Sequence, residues 1–266
     1  MPSKAPRKPP VPKLPRFSPT RLNLYRFCPR AYYFYYVRRL RWGGITAGHA
    51  FGGHLHRSLQ VFHERGGLDS VSLEELVSDL RSRWSAAGFA DPQEAQAHLE
   101  AGEEVLRRYY SAAAEPGRET LWTERTVQHR YDDFVLFGKV DRLDRRPDGG
   151  LEVVDYKSGR LSVCEEEVRE SLALLVYQLL VARAHPGMPV YAGILCLRSG
   201  AAAAVLRTPE ELDAAEAEIQ ELVRTILADE RMAPIPGEQC RECVYPRICP
   251  PGRRWLETSR KTEDGR

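Results

Sequence analysis

The segment GKVDRLDRRPDGGLEVVDYKSG, residues 138–159, constrains the fold of this chain more than any other stretch. Two runs with regularly placed apolar residues flank the turn-forming residues Pro147 to Gly150, so the segment predicts a β-hairpin. With the turn centred there, we expect Asp141 and Asp155 to lie directly opposite each other or one step off, with Cβ atoms roughly 5 Å apart. Like charges in that position destabilise a sheet unless a cation lies between them. The hairpin therefore predicts a cation site.

A lysine completes this pattern. Lys157 is two residues beyond Asp155, and side chains two positions apart share one face of a strand. Two carboxylates that bind a hard divalent cation, with a lysine alongside, suit metal-assisted hydrolysis of a phosphodiester. The alternative is a surface hairpin whose aspartates are paired with the lysine alone. The apolar run Leu151–Val154, which leads into the charges, favours the buried site.

The rest of the chain predicts helices first and a sheet afterwards. We expect strands at 123–131, 134–146, 151–159 and 190–198. We expect helices from Ser18-Pro19 onward with an interruption at Pro29, around 51–62, twice within 69–115, and at 171–184 and 208–229. This order indicates an α/β fold, in which helices flank a mixed central β-sheet, with a helical N-terminal region and a helical insert over 69–115.

Charge is distributed unevenly. Of the 39 basic residues, twelve precede Glu64, which is the first of the 37 acidic residues. A positive field at one end of the molecule indicates a polyanionic partner. Basic, proline-rich residues 1–16 predict a disordered tail, 17–250 a single domain, and 251–266 a flexible basic tail. Three arginines that alternate with aromatic residues are the candidate DNA-binding residues: Arg21, Arg26 and Arg30.

Asp141 followed by Asp155-Tyr156-Lys157 resembles the D…(D/E)-x-K core of the PD-(D/E)XK nuclease superfamily, in its RecB-like branch. That branch has an upstream G-x-x-x-H segment, which Gly52 and His56 match. The resemblance implies a restriction-endonuclease-like core and a Mg²⁺- or Mn²⁺-dependent deoxyribonuclease. It implies metal ligands at His56, Asp141, Asp155 and Tyr156. It implies catalytic roles for Asp141, Asp155, Lys157 and Tyr177.

Two positions bear on this resemblance. The branch carries Q-x-x-x-Y on the helix after the lysine; Tyr177 is present, but Ala173 stands in place of the glutamine and Gln178 follows the tyrosine. The resemblance also implies a glutamate on the strand before the first aspartate, and Glu124 is the candidate. The altered element leaves open a second function, a DNA-binding scaffold whose nuclease site is idle.

Near the C-terminus, QCRECVYPRICP holds Cys240, Cys243 and Cys249 in the spacing C-x2-C-x5-C. Three thiolates are one short of a four-ligand site, and Cys28, which precedes a proline as Cys249 does, is the candidate fourth. One distant cysteine with a close trio resembles the AddB-type and CRISPR-associated exonucleases, and implies a [4Fe–4S] cluster. A four-cysteine zinc site is the alternative.

The sequence also predicts the cellular location and the partners of the protein. No apolar run approaches the ~20 residues of a membrane span, and the N-terminal residues lack the apolar core of a secretory signal. The six cysteines fit metal ligation and burial better than disulfides, so we expect a cytoplasmic protein without membrane partners. The expected partners are DNA and either a helicase or CRISPR adaptation proteins. The sequence has no phosphate loop for ATP, so any ATP-driven unwinding of DNA must come from a partner.

Overall fold

The structure is a computed structural model, and it describes residues 14–113 and 117–263. Its strands are β1 Arg16–Phe17, β2 Glu119–Arg130, β3 Val135–Arg145, β4 Leu151–Lys157, β5 Val190–Cys196 and β6 Ala202–Leu206. Its helices are α1 Pro19–Phe27, α2 Pro29–Tyr32, α3 Ala47–Glu64, α4 Leu73–Arg83, α5 Pro92–Ala112, α6 Glu165–Glu170, α7 Leu172–Ala184, α8 Pro209–Ala228 and α9 Pro250–Glu263. A π-helical turn over Tyr33–Val37 follows α2.

Six strands of the described chain form one mixed sheet in the order β1-β3-β4-β5-β6, with β2 paired to β3. β2, β3 and β4 are antiparallel neighbours, whereas β4 and β5 run parallel and are joined through α6 and α7. This arrangement confirms the predicted α/β class with a mixed central sheet flanked by helices. In the described part of the chain, no helix has the length and hydrophobicity needed to cross a membrane.

The hairpin has the predicted register, since Arg142 lies opposite Val154. Pairing between β3 and β4 covers 142–145 and 151–154, so Asp141 and Asp155 both lie just beyond the same end of the paired stretch. β2 occupies the other edge of β3, and β1 pairs with residues 135–136 on the same edge as β4. Residues 137–141 of β3 therefore lie between two pairings, where the sheet opens beside Asp141.

Helices cover both faces of the sheet. On one face, α7 contributes Leu174 and Val181 to a core that contains Val153 of β4. On the other face, the predicted apolar stripe of α3 (Phe51, Leu55, Leu59 and Phe62) is buried with α5 and β4. α3 and α7 thus approach the opening in the sheet from opposite sides.

The predicted helix signals are present. Ser18 caps α1 with Pro19 at its first position, and the chain breaks at Cys28-Pro29. Both predicted capping boxes form, Ser72 with Glu75 and Thr208 with Glu211. Reciprocal bonds of this kind satisfy backbone N–H groups that a helix start otherwise leaves unpaired.

Several elements differ from the sequence prediction. β6 was not predicted because its sequence, AAAVL, has weak strand propensity; it forms against the exposed edge of β5. The predicted tail at 1–16 needs correction where it is described, because Arg16 begins β1; residues 1–13 lie outside the described residues. The predicted C-terminal tail is helical over Pro250–Glu263, since its first turn packs on the cysteine loop.

Candidate metal and nuclease site

Three side chains meet where the sheet opens. His56 of α3, Glu124 of β2 and Asp141 of β3 bring ligand atoms within 4.8 Å of one another. The Nδ1 atom of His56 lies 3.5 Å from Asp141 Oδ2 and 3.8 Å from Glu124 Oε1. Two carboxylates and an imidazole suit a divalent cation such as Mg²⁺ or Mn²⁺. The three residues line a cleft of about 630 Å³ together with Gly48, His49 and Ser158.

Glu124 reaches this position through an unusual backbone conformation. Its φ is +48°, a value uncommon for residues other than glycine. Thr123 pairs with Arg142 and Arg125 with Val140, so Glu124 falls beside Asp141 in the register. Left-handed backbone at a non-glycine residue costs on the order of 1–3 kcal/mol and is found at functional sites. Sequence alone offered only the family resemblance as a signal for this residue.

Charge in the cluster is largely compensated within the protein. Burial alone would lower the pKa of His56, but hydrogen bonds to Asp141 and Glu124 raise it to about 9. Burial would raise the pKa of Glu124, but contacts with His56 and Lys139 lower it. Lys139 is ion-paired with Glu124. The Glu124 carboxylate is therefore held in the ionised form that a metal ligand requires.

Asp155 lies next to this cluster. Lys157 Nζ approaches its Oδ2 atom to 2.5 Å, as expected for side chains on one strand face. That Oδ2 atom is buried and lacks a hydrogen bond with regular geometry. Burial and the charge of Asp141 raise the pKa of Asp155, against the opposing charge of Lys157. A buried carboxylate oxygen without a regular donor fits a metal ligand.

The Asp141 carboxylate is oriented by the backbone. Tyr156 N–H donates a hydrogen bond of 2.9 Å to Asp141 Oδ2, which spans the gap between β3 and β4. The Tyr156 hydroxyl contacts the hydroxyl of Tyr109 at 3.3 Å and accepts from Arg142 at 3.1 Å. The Tyr156 hydroxyl therefore belongs to a separate buried network, whereas its main chain lies at the site, so the predicted metal-ligating role of Tyr156 stays a prediction for its main chain.

Two glycines allow the helices to approach the site closely. A Cβ atom at Gly52 would lie 2.8 Å from Ser158 Oγ, so glycine lets α3 come this near to the end of β4 without displacing the Ser158 side chain. A Cβ atom at Gly138 of β3 would collide with the ring of Tyr177. Both contacts bring functional side chains, His56 and Tyr177, toward the opening in the sheet.

Tyr177 of α7 faces the carboxylates. Burial, followed by the charges of Asp155, Asp141 and Glu124, raises the pKa of its hydroxyl. Gln178 does not take the place of the missing glutamine of Q-x-x-x-Y. Its side chain is fully buried and donates to the carbonyls of Val190 (2.6 Å) and Val205 (3.2 Å). Gln178 thus holds α7 against the sheet, outside the cluster.

The four predicted cysteines lie around one cavity, although 212 residues separate Cys28 from Cys240. Burial, and the nearby thiols of Cys28, Cys240 and Cys249, raise the pKa of Cys243. Tyr245 N–H contacts Cys243 Sγ at 3.4 Å, as main-chain donors do around ligating sulfur. Cys164 is exposed and Cys196 is buried in β5, away from this group.

A glycine lies beside the cysteine site. A Cβ atom at Gly252 of α9 would stand 3.4 Å from Cys240 Sγ and 3.5 Å from Cys249 Sγ. Gly252 therefore lets the first turn of α9 pack closely on the cysteine loop.

The three predicted DNA-binding arginines differ in their surroundings. Arg21 donates to the Tyr32 hydroxyl and to the carbonyl of Arg16, both at 2.7 Å, so its guanidinium serves internal packing. Arg30 lies over Tyr33 and donates to the carbonyl of Arg231 at 3.4 Å. Arg26 is exposed. Of the three, Arg21 is the least suited to bind phosphate.

Solved structures of other proteins match this chain over most of its length. One solved structure with a similar fold is that of a proposed exonuclease from Eubacterium rectale, with a TM-score of 0.51, 15% identity, and coverage of 87% of this chain and 88% of that chain. The structure of SSO0001 matches at a TM-score of 0.36 and 13% identity, covering 90% of this chain and 88% of that chain. No curated protein matches the chain.

The family comparison covers most of the chain. The model of the PD-(D/E)XK nuclease superfamily matches residues 16–250, which include every predicted site residue. The similar fold of the Eubacterium rectale protein agrees with a restriction-endonuclease-like sheet. Nucleases of this superfamily generally use divalent metals, and the acidic cluster offers such a site. The chain belongs to the PD-(D/E)XK nuclease superfamily.

Proposed function

We propose that the protein is a Mg²⁺- or Mn²⁺-dependent deoxyribonuclease of the RecB-like branch, an exonuclease that acts on single-stranded or end-opened DNA. One observation carries the proposal: His56, Glu124 and Asp141 converge beside Asp155 and Lys157. These residues come from three strands and one helix, so their meeting reflects the fold and not sequence proximity.

The metal would be held by His56, Glu124, Asp141 and Asp155. When bound, it would lower the pKa of a water ligand and neutralise charge on the phosphate. Lys157 is exposed enough to reach substrate, and its ammonium would position the attacking water or the phosphate oxygens. The raised pKa of Tyr177 keeps its hydroxyl protonated, so Tyr177 would donate a hydrogen bond to a phosphate oxygen.

The cysteine site would hold a structural [4Fe–4S] cluster. Its support is the convergence of Cys28 with Cys240, Cys243 and Cys249 around one cavity, as a single distant cysteine with a close trio. The cluster would tie α1 and α2 to the start of α9 and stabilise that region. Metal analysis of anaerobically purified protein separates the alternatives, since zinc without iron and sulfide would refute the cluster.

The nuclease assignment is tested by incubating labelled single-stranded DNA with Mn²⁺. Asp155→Ala and Lys157→Ala should each lose cleavage, while Asp213→Ala, an exposed aspartate on α8, should cleave like the wild type. Equal cleavage by all four proteins would refute the assignment. DNA binding by the wild type without cleavage under any divalent metal would support the alternative, an iron–sulfur or zinc scaffold with an idle site.

We further propose a cytoplasmic role in DNA repair and recombination or in CRISPR adaptation. Support comes from the six cysteines, which form no disulfide with one another and so suit a reducing compartment. A helicase or CRISPR adaptation proteins would supply the single-stranded or end-opened DNA. Co-purification of tagged protein with its partners would separate the two pathways.

A further inference from the structure

A group of exposed arginines lies on the segment between the π-helical turn and α3. We call residues 35–45 the arginine segment; it contains Arg38, Arg39 and Arg41, all exposed. Trp42 is 42% exposed and Ile45 68% exposed. The chain has no acidic residue before Glu64, so this segment carries no compensating charge of its own. Neither the metal cluster nor the cysteine site accounts for it.

The arginine segment is held in a defined shape by the cysteine loop. Tyr245 lies between Cys243 and Cys249 in the sequence. Its hydroxyl donates a hydrogen bond of 2.6 Å to the carbonyl of Leu40. The Tyr245 ring packs between Phe34, at 5.2 Å, and Trp42, at 5.7 Å. Trp42 therefore has one side supported by an aromatic ring while much of its surface remains exposed.

The segment ends beside the cleft of the metal cluster. α3 begins at Ala47, and Gly48 and His49 of its first turn line the same cleft as His56 and Asp141. A polymer bound along the arginine segment would therefore have one end near the cleft.

We infer that the arginine segment binds single-stranded DNA, with phosphates on Arg38, Arg39 and Arg41 and an unpaired base stacked on Trp42. Arginines carry affinity for the backbone, and an exposed aromatic face binds bases without regard to sequence. A base inside a duplex is stacked on both faces, so only the terminal pairs of a duplex offer a face to such a ring. The inference rests on the proposed nuclease function and names the substrate that the site receives.

Charge complementarity favours this occupant over a protein partner. An apolar patch for protein docking usually has few charges at its centre. Here three exposed arginines lie within four residues, next to Trp42 in sequence. Binding that depends on salt would follow from the arginines, whereas docking of an apolar protein surface would not show it.

Arg39 allows a test without loss of folding. Its φ is +55°, a conformation that glycine adopts without strain, so Arg39→Gly removes the charge and suits the backbone. Trp42→Ala removes the ring, and Trp42→Phe retains a stacking face. Arg224→Ala, an exposed arginine on α8, is the matched control.

Binding is measured without divalent metal, by anisotropy of a labelled oligothymidylate and of a blunt duplex at several salt concentrations. Trp42→Ala should weaken oligothymidylate binding by roughly 5- to 150-fold, with partial recovery in Trp42→Phe and a much smaller effect on the duplex. Arg39→Gly should reduce the salt slope by about 0.7, the value expected for one phosphate contact on a single strand. Arg224→Ala should bind like the wild type.

The outcomes separate this inference from the proposed function. If the wild type cleaves DNA but Trp42→Ala and Arg39→Gly bind the oligothymidylate with unchanged affinity, the inference is refuted and the nuclease assignment stands. If neither metal supports cleavage but both variants bind more weakly, the binding surface stands and the nuclease assignment fails. Equal weakening for single strand and duplex would refute the stacking role of Trp42.

Discussion

Lowering the pH from 8 to 5 should destabilise the protein through His63, which lies near the end of α3. Its Nε2 atom is 2.6 Å from the Tyr109 hydroxyl, and its Nδ1 atom is 3.1 Å from Thr120 Oγ1. Burial, followed by the charge of Arg142, lowers the pKa of His63 to about 3. The folded protein therefore keeps His63 neutral at pH values where an unfolded chain would protonate it.

The sign and size of this pH effect on stability follow from the linkage between proton binding and unfolding. Between the folded pKa of about 3 and the unfolded value of 6.5, the unfolded state binds more protons, so stability falls as the pH falls. The free energy of unfolding falls by about 1.4 kcal/mol for each pH unit below 6.5. At pH 5 this loss reaches about 2 kcal/mol, an upper value because His63 is only partly shielded from solvent.

The measurement compares wild type with His63→Gln, which has no titrating group at this position. Urea unfolding at pH 8 and pH 5, followed by tryptophan fluorescence, gives each protein's loss of unfolding free energy. His63→Gln should lose about 1 to 2 kcal/mol less than the wild type between these pH values. All other titrating groups are shared, so they cancel in the comparison. An identical pH dependence in the two proteins would refute the buried, neutral state of His63.

Three further predictions concern the site and its supports. Gly138→Ala should lower the free energy of unfolding by about 1–3 kcal/mol, because the added Cβ collides with Tyr177; urea unfolding measures it. Glu124→Gln should weaken Mn²⁺ binding at least about tenfold without changing single-stranded DNA affinity, as calorimetry and anisotropy would show. Cys28→Ser should lose iron and lower the melting temperature in a thermal scan, because the cysteine site then no longer ties α1 to the C-terminal region.

The glycine and cysteine predictions each have a matched control. Gly53→Ala on α3, where an added Cβ meets nothing within 4 Å, should not destabilise the protein. Cys164→Ser, at an exposed cysteine, should keep iron and melting temperature unchanged. Unchanged Mn²⁺ affinity in Glu124→Gln, or full iron content in Cys28→Ser, would contradict the site described for that residue.

The sequence predicted those features of this protein that depend on contacts between residues close together in the chain. The register of the β3–β4 hairpin follows from a short turn, so the neighbouring positions of Asp141 and Asp155 could be worked out from numbering alone. The capping boxes at Ser72 and Thr208 involve side chains only three residues apart. The cysteines were grouped by ligand chemistry, which requires no knowledge of the path between them.

Tertiary structure decided the features that depend on distant contacts. Glu124 joins the cluster through a backbone conformation that only the β2–β3 register imposes. Arg21 is used internally because aromatic rings from α2 and β1 surround it. α9 is helical because its first turn packs on the cysteine loop. Sequence alone thus determined which reactive residue types the chain carries. The packing of α3, α7 and the sheet decided which of these side chains reach the metal site, because neighbours far away in the chain set the burial and charge at each position.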